Sequence, residues 1–316
     1  MRILITGGAG FIGSHLVEHH LRAGHTVAVL DDMSRGRREN LAGMLDRVPF
    51  FRVDICDRAG LTAAFSAFRP DVVSHHAAQM SVSASSQDPV ADARTNVLGL
   101  LHVLQASVAQ GVRKLIFASS GGTVYGDCPL IPTPEDAPLA PLSPYGISKL
   151  AGEQYVRYFQ RACGIDFTIL RYANVYGPRQ AADGEAGVVA IFIEKLLAGE
   201  APVIHWDGEQ RKDYIHVEDV ARAHLQAIAE GSGGTYNIGS GQTTTVNALY
   251  QAIEHQLGTG LSPGRGPRRA GDVRISRLAI ERARHALDWR PQVPLEAGLI
   301  DTVAYFRARH ELPQAA

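Results

Sequence analysis

The chain has 316 residues, of which 45% are hydrophobic and 20% charged, with a formal net charge of −1. That is a globular composition. Its balanced charge excludes the electrostatic footprint of a nucleic-acid or anionic-membrane binder, and no apolar run nears the ~18 residues of a membrane-spanning helix. At roughly 150 residues per domain, two domains are expected.

The first element is an apolar strand, Ile3-Leu4-Ile5, without polar alternation, as suits a strand buried on both faces. Gly7, Gly10 and Gly13 follow in G-x-x-G-x-x-G spacing, and Leu16, Val17 and Leu21 then recur at helical spacing. Strand, glycine turn and helix form the context in which such a turn holds a dinucleotide. Gly7 allows the tight turn, Gly10 lets backbone approach a pyrophosphate, and Gly13 lets the helix pack on the strand. A second strand over Thr26–Leu30 ends in Asp31 and Asp32, about 20 residues on, where an acid meets an adenine ribose.

Alternation continues. Pro49–Val53 reads as a third strand ending at Asp54 and Ile55, Arg58–Phe68 as a helix, and Asp71–His75 as a fourth strand followed by His76-Ala-Ala-Gln79. Pro89–Gln110 reads as one long helix, and Lys114–Ala118 as the fifth strand, ending in the polar stretch Ser119–Gly126. After a proline-rich loop, Ser143 is a plausible N-cap and Pro144 suits the first position of a helix reaching Cys163, before a strand over Asp166–Arg171. This order predicts an α/β fold, a Rossmann-type doubly wound parallel sheet with its ligand site at the strand carboxyl ends.

Beyond Asn174 the alternation breaks into short pieces and a basic segment, Arg265, Arg268 and Arg269, which predicts a smaller α+β domain for substrate. Tyr214–Val217 and Thr235–Gly239 are expected to return to the main sheet. The expected division is residues 1–173 with 214–239 for the nucleotide, and 174–213 with 240–316 for the second lobe. The cysteines Cys56, Cys128 and Cys163 lack metal-ligand spacing and are odd in number. Free thiols in a cytoplasmic protein are expected, with no metal and no leader ahead of the first strand.

Tyr145 and Lys149 stand four apart at a helix start and share a face. A free phenol is a poor base at pH 7, but a lysine cation and a nicotinamide cation together would favour the phenolate, making Tyr145 a candidate general base and acid. A hydroxyl from Ser119 or Ser120 could bond the same substrate oxygen.

Four stretches together resemble the extended short-chain dehydrogenase/reductase superfamily, in its NAD-dependent nucleotide-sugar epimerase/dehydratase group. They are Thr6-Gly-Gly-Ala-Gly-Phe-Ile-Gly13, Tyr145-x-x-x-Lys149, Arg171-Tyr-Ala-Asn-Val-Tyr-Gly-Pro178 and Asp213-Tyr-Ile-His-Val-Glu-Asp219. Within that group the likeness is to the 4-epimerases of UDP-glucose and UDP-galactose. The resemblance implies tightly bound NAD. Phe11 and Ile12 would lie against its pyrophosphate, Asp31 would meet the adenosine ribose with Asp32, Ser34, Arg35 and Gly36 adjoining, and Asp54 and Ile55 would flank adenine. Ala77, Ala78, Gln79 and Asn96 would line the cofactor, Lys149 would hold the nicotinamide ribose, and Tyr172 would follow it in the same pocket.

For a UDP-sugar substrate, the resemblance points to Asn174, with Gly187, Val188 and Val189, at the diphosphate. Val203, Ile204 and His205 would border uracil, and Arg269 and Asp272 would take phosphate and uridine ribose. The family keeps arginine directly before Asp-Tyr-Ile-His-Val; here Lys212 stands there behind Arg211, so either could bind phosphate. The implied reaction is transient oxidation at C4 of the hexose. Dehydratase relatives carry Asp-Glu after the catalytic threonine, whereas this chain has Gly121-Gly122-Thr123 and no carboxylate there. Ser120 is the favoured hydroxyl partner of Tyr145, with Ser119 and Thr123 next.

Ser276 falls where glucose/galactose-restricted epimerases keep tyrosine, which implies room for UDP-N-acetylglucosamine and UDP-N-acetylgalactosamine. Alternatives are a UDP-glucuronate 4-epimerase, an NADPH-dependent 4-keto-sugar reductase and a non-catalytic nucleotide-sensing module. The helices Pro89–Gln110 and Pro144–Cys163 resemble those that form a four-helix homodimer interface in relatives.

Overall fold

The computed structural model describes residues 1–182, 187–269 and 272–311. Its first half supplies strands β1 (Arg2–Thr6), β2 (Thr26–Asp31), β3 (Phe50–Arg52), β4 (Val72–His75), β5 (Lys114–Ser120) and β6 (Asp166–Tyr172). The second half supplies β7 (Asn174–Tyr176), β8 (Val203–His205), β9 (Arg211–Lys212), β10 (Tyr214–His216), β11 (Gly234–Ile238), β12 (Thr244–Thr245), β13 (Gly264–Gly266) and β14 (Ile275–Ser276). Seven strands form one parallel sheet in the order β3-β2-β1-β4-β5-β6-β11. Chain order reverses between β1 and β4, which opens a crevice at their carboxyl ends.

The sheet is doubly wound because its strands are apolar on both faces. Ile3 and Ile5 of β1 point into one cluster with Leu16, Val17 and Val220, against α1 (Phe11–Arg22) and a later helix over Val217–Ala229. Leu4 points the other way, into a cluster with Phe65, Leu104 and Val156. That second layer is α2 (Arg58–Phe68), the helical stretch that follows β4, and the long helix after the proline-rich loop.

The stretch after β4 opens with α3 (Val82–Gln87). The predicted helix over 89–110 is then α4 (Pro89–Ala93), a π-helical segment over Arg94–Gly99, and α5 (Leu100–Ala109). The chain is continuously helical, but one register slip divides it. Such π turns gather at functional sites.

Helix α6 (Pro144–Cys163) starts where the Ser143 hydroxyl accepts from Gly146 N–H at 3.2 Å, and stops at Gly164 in the left-handed region, φ +75°. Midway, Gly152 lies against Phe117. A Cβ there would sit 2.6 Å from the ring, so only glycine lets α6 approach β5 this closely.

Segment 214–239 divides. Strand β11 adds to the main sheet beside β6, and α8 (Val217–Ala229) after α7 (Val188–Leu197) packs on α1. Tyr214–His216, expected in the main sheet, instead pairs in parallel with Asn174–Tyr176 in a separate two-stranded sheet. The edge of the main sheet beside β6 is already taken by β11. The second lobe buries Phe192, Leu249, Ile253, Val303 and Phe306 between α7, α9 (Val246–Leu257) and α11 (Leu295–Glu311); α10 (Glu281–Ala286) packs near β11.

Candidate active site

The turn after β1 has little room for side chains. Gly7 is left-handed, φ +69°, and a Cβ on it would lie 2.7 Å from Ala77 N; one on Gly13 would lie 2.1 Å from Gly7 O. Gly10 caps α1 with no side-chain hydrogen bond, so the positive end of the helix dipole at Phe11, Ile12 and Gly13 stays available to an anion. The threonine before the turn, Thr6, is fully buried. Its hydroxyl meets His75 Nδ1 at 2.9 Å and accepts from His76 and Ala77 N–H at 3.2 Å, which locks the turn to the end of β4.

Asp31 ends β2 almost buried, with Oδ2 accepting from Ala9 N–H at 3.0 Å and Oδ1 from Met33 N–H at 2.9 Å. Burial raises this carboxyl above its usual range, and those two N–H groups oppose the rise. Gly36 lies over it, its would-be Cβ 2.6 Å from Asp31 Oδ1. Asp32 accepts from Ser34 N–H and hydroxyl at 2.8 and 2.6 Å, shaping the loop that carries exposed Arg35. Asp54 accepts from Cys56 N–H at 2.8 Å, and Ile55 is buried against Gly99. Ala77, Ala78 and Gln79 line the crevice side of β4. The amide of Asn96 exchanges hydrogen bonds with the Gln79 backbone at 2.9 and 2.8 Å. A glycine cradle that a Cβ would fill, an open helix N-terminus and a buried acid on the neighbouring strand together fit a dinucleotide.

Across the crevice, half-buried Tyr145 and buried Lys149 share the first turns of α6. Lys149 Nζ donates to Ala118 O at 3.0 Å and stands 5.7 Å from the Tyr145 ring centre. Surrounding protein pushes the phenol up to about 12, against the pull of the facing Ser120 hydroxyl. Burial lowers Lys149 to about 8, opposed by the Asp92 carboxylate. The protein's own groups therefore favour the neutral phenol of Tyr145, burial being the main cause.

Strand β5 runs two residues past its expected end, so Ser119 and Ser120 alternate across it. Ser119 points away from the crevice and donates to Glu153 at 2.7 Å, while Ser120 faces Tyr145. Thr123 Oγ1 is buried with no partner among the described residues. The order Ser120, Ser119, Thr123 therefore changes, with Ser119 committed to a structural bond and Thr123 left with a hydroxyl to satisfy. Tyr172, on β6 beside Ser120, bonds His76 Nε2 at 3.0 Å.

In the second lobe, Asn174 Nδ2 donates to Asp213 O at 3.0 Å. Gly187, φ +84°, precedes α7, with Val188 half-buried; the Val189 side chain is core, packed with Phe192, so only its backbone can face a ligand. Val203 is exposed, Ile204 is core, and His205 bonds Pro267 O at 3.1 Å. Arg211 is exposed. Lys212, on the other face of β9, donates to Asp272 Oδ1 at 2.6 Å and Val273 O at 2.9 Å. Lys212 and Asp272 thus hold each other. Ser276 pairs with Lys212 in the β9–β14 ladder, and Arg269 is exposed. Arg274 is bound to Asp207, and the guanidiniums of Arg274 and Arg268 each lie over the Trp206 ring, at 4.8 and 4.3 Å from its centre.

Two buried acids escaped the sequence. Glu153 grips Arg171 bidentately at 2.8 and 2.7 Å behind β5, and Asp92 accepts from Gln79, Asn96 and Ser148. Only the four-residue spacing of Asp92 and Asn96 on one helix hinted at the second. A chain of hydrogen bonds also runs from His20 through His224, Ser74 and His76 to Tyr172, with successive distances of 2.9, 2.8, 3.0 and 3.0 Å. His15 and His19 both bind Glu218, joining α1 to α8.

The sequence profile of the NAD dependent epimerase/dehydratase family matches residues 3–239. A UDP-glucose 4-epimerase of Mycolicibacterium smegmatis is 46% identical over 314 residues, 98% of this chain and 100% of that protein. A crystal structure of a Thermotoga maritima UDP-glucose 4-epimerase with UDP-glucose superposes with a TM-score of 0.96 at 47% identity, covering 98% of this chain and 100% of that one. A Thermus thermophilus UDP-glucose 4-epimerase in complex with NAD gives 0.92 at 44% identity, covering 97% and 99%.

Proposed function

The chain belongs to the NAD dependent epimerase/dehydratase family, and from that premise we propose that it inverts C4 of a hexose carried on UDP, interconverting UDP-glucose and UDP-galactose. The observation that carries this reading is Tyr145 faced by the Ser120 hydroxyl, with the buried, unsatisfied Thr123 hydroxyl three residues on and no carboxylate in the intervening Gly121-Gly122-Thr123 stretch. A dehydratase needs a second acid/base pair there, and an epimerase does not.

NAD would be held by the turn Gly7–Gly13, Asp31 with its loop, Ile55, Ala77–Gln79, Asn96, Tyr172 and Lys149, and supplies, when bound, a hydride acceptor at C4 that also returns the hydride, and a positive nicotinamide. Tyr145 Oη takes the C4 hydroxyl proton and gives it back. Thr123 and Ser120 hold the same sugar oxygen in line. Lys149, fixed by Ala118 O, keeps a positive charge within reach of the phenol. Asn174, the start of α7, Arg211 or Lys212, and Arg269 would take the diphosphate, and Val203, His205 and Asp272 the uridine. The nucleotide lobe in this reading is residues 1–173 with 217–239, and the sugar lies between it and the remainder. Three unpaired cysteines suit a reducing cytoplasm.

The test is incubation with UDP-sugars without added cofactor, followed by chromatography. Interconversion of a 4-epimeric pair is expected. Turnover only with added reduced cofactor would mean a reductase, and binding without turnover a sensor. The half-buried Ser276 beside Lys212 supports use of the N-acetylated pair as well. Ser276→Tyr is expected to cut kcat/KM for UDP-N-acetylglucosamine at least tenfold while sparing UDP-glucose. Equal loss on both substrates would sink that specificity assignment.

We also propose a homodimer. Exposed Val90 and Leu98 on α4 and the π segment line a shallow apolar groove with Pro89, Val97 and Leu101, beside exposed Ile147, Tyr155 and Tyr158 of α6. Two such helical faces from two copies make a four-helix bundle and cover the patch. Light scattering is expected to give a dimer mass for the wild type and a monomer mass for Leu98→Asp. A wild-type monomer at micromolar concentration would refute this interface.

A further inference from the structure

Asp92 is 1% exposed, yet its carboxylate is fully engaged. Oδ1 accepts from Gln79 Nε2 and Asn96 Nδ2, both at 2.9 Å, and Oδ2 accepts from Ser148 Oγ at 2.6 Å. The three donors come from three different elements, namely the segment after β4, the π-helical turn and α6. All three are neutral, so they satisfy the oxygens without cancelling the charge. Ser148 is the residue beside Lys149. Gln79 and Asn96 are the residues that the proposed function puts along the cofactor, and Asn96 also ties the Gln79 backbone at both its N–H and C=O.

We propose that Asp92 is a positioning residue for the Tyr145–Lys149 pair: its buried carboxylate clamps α6 to the cofactor-lining segment and supplies a fixed negative charge facing both side chains. The clamp lies at the π-helical turn. In a straight α-helix Asp92 and Asn96 would still share a face, but the slip over Arg94–Gly99 is where the Asn96 amide reaches the Gln79 backbone. A carboxylate also accepts from all three donors at once, whereas an amide would accept from Gln79 and Asn96 only and would bring no charge.

The charge has a readable consequence. The titratable groups on which it acts are Tyr145 and Lys149 on α6; beyond Lys149, at the end of β4, burial keeps His75 and His76 neutral, both lowered to about 3, with Lys149 adding to the effect on His75, and His75 and then Lys149 to that on His76. The Asp92 charge favours the neutral phenol of Tyr145 and the cationic form of Lys149, raising both groups. Removing it must lower both together.

The inference rests on the proposed epimerase reading for the roles of Tyr145 and Lys149, and its test separates the two. Asp92→Asn is nearly isosteric. Its oxygen still accepts from Gln79 and Asn96, and its NH2 can donate to the Ser148 hydroxyl. Both limbs of its kcat–pH profile are expected to move acidward by about one pH unit. The ultraviolet phenolate signal, taken as the difference between each protein and its Tyr145→Phe counterpart, is expected to move with them, and it needs no turnover.

Ser148→Ala keeps the charge but frees α6. It is expected to lower kcat severalfold with the profile in place. Unmoved limbs and an unmoved phenolate signal in folded Asp92→Asn would overturn the role of the charge. Wild-type kcat in Ser148→Ala would overturn the clamp. Absence of epimerisation in the wild type would overturn the function, while the phenolate titration would still decide on Asp92.

Discussion

Tyr145→Phe is expected to lower kcat by about a thousandfold while leaving NAD bound, the size of effect typical when a positioned proton-transfer group is lost. The substitution removes one oxygen and leaves the ring. The Lys149 bond to Ala118 O and the placement of Nζ over the ring do not depend on that oxygen, so the cofactor wall stays intact. What disappears is the acceptor for the C4 proton. Neither Ser120 nor Thr123 replaces it, since an unassisted alcohol is a far weaker base than a phenolate. The measurement is epimerisation of UDP-galactose, paired with the NAD released on denaturation. Retention of a tenth or more of wild-type kcat would remove Tyr145 from the mechanism, and loss of NAD would instead make it a cofactor-binding residue.

Glu153→Ala is expected to cost about 3–5 kcal/mol of stability, because it leaves the Arg171 guanidinium without its anion in a site only 1% exposed. Against a typical total of about 5–15 kcal/mol, that is a large fraction. Arg171 keeps only the Tyr125 hydroxyl at 2.8 Å and Glu135 O at 3.0 Å, and Ser119 loses its acceptor. The urea midpoint reports the loss. The double variant Glu153→Ala, Arg171→Met is expected to recover part of it, because the penalty comes mainly from the orphaned charge. A single-variant loss below about 1 kcal/mol would mean that water reaches Arg171 freely. Because Glu153 and Arg171 lie directly behind Ser119 and Ser120, even the folded single variant should loosen the end of β5.

Much of the architecture was legible because it follows from local patterns. The unbroken apolar run of β1 and the alternation of strands with helices announced a sheet covered on both faces, and Ser143-Pro144 marked the start of α6 to the residue. The glycine turn and the Tyr145–Lys149 pair were legible for the same reason, since each is a short spacing. What stayed hidden depends on partners distant in sequence. The grip of Glu153 on Arg171, the commitment of Ser119 to Glu153, and the bond of Asp92 to Ser148 all join residues brought together only by the sheet. Tyr214–His216 has ordinary strand composition, and nothing in it says which neighbour it will choose. Val189 stands at the start of a helix whose inward face becomes visible only once α9 is packed on it.

In the proposed reading, which puts Lys212 and Asp272 on the uridine side of the cleft, their ion pair makes that side an exchange rather than an empty receptacle. Each charge answers the other at 2.6 Å. A ligand that enters must separate them and answer both, offering an anion to the lysine and a hydroxyl donor to the acid. A nucleoside diphosphate carries both in one molecule, with phosphate on one end and ribose on the other. A free hexose has donors but no anion, and inorganic phosphate has the anion but no ribose. Each would break a good contact and repair only half of it. On that reading, discrimination against partial ligands is expected to come from an internal competitor, a pair of side chains that already bind each other.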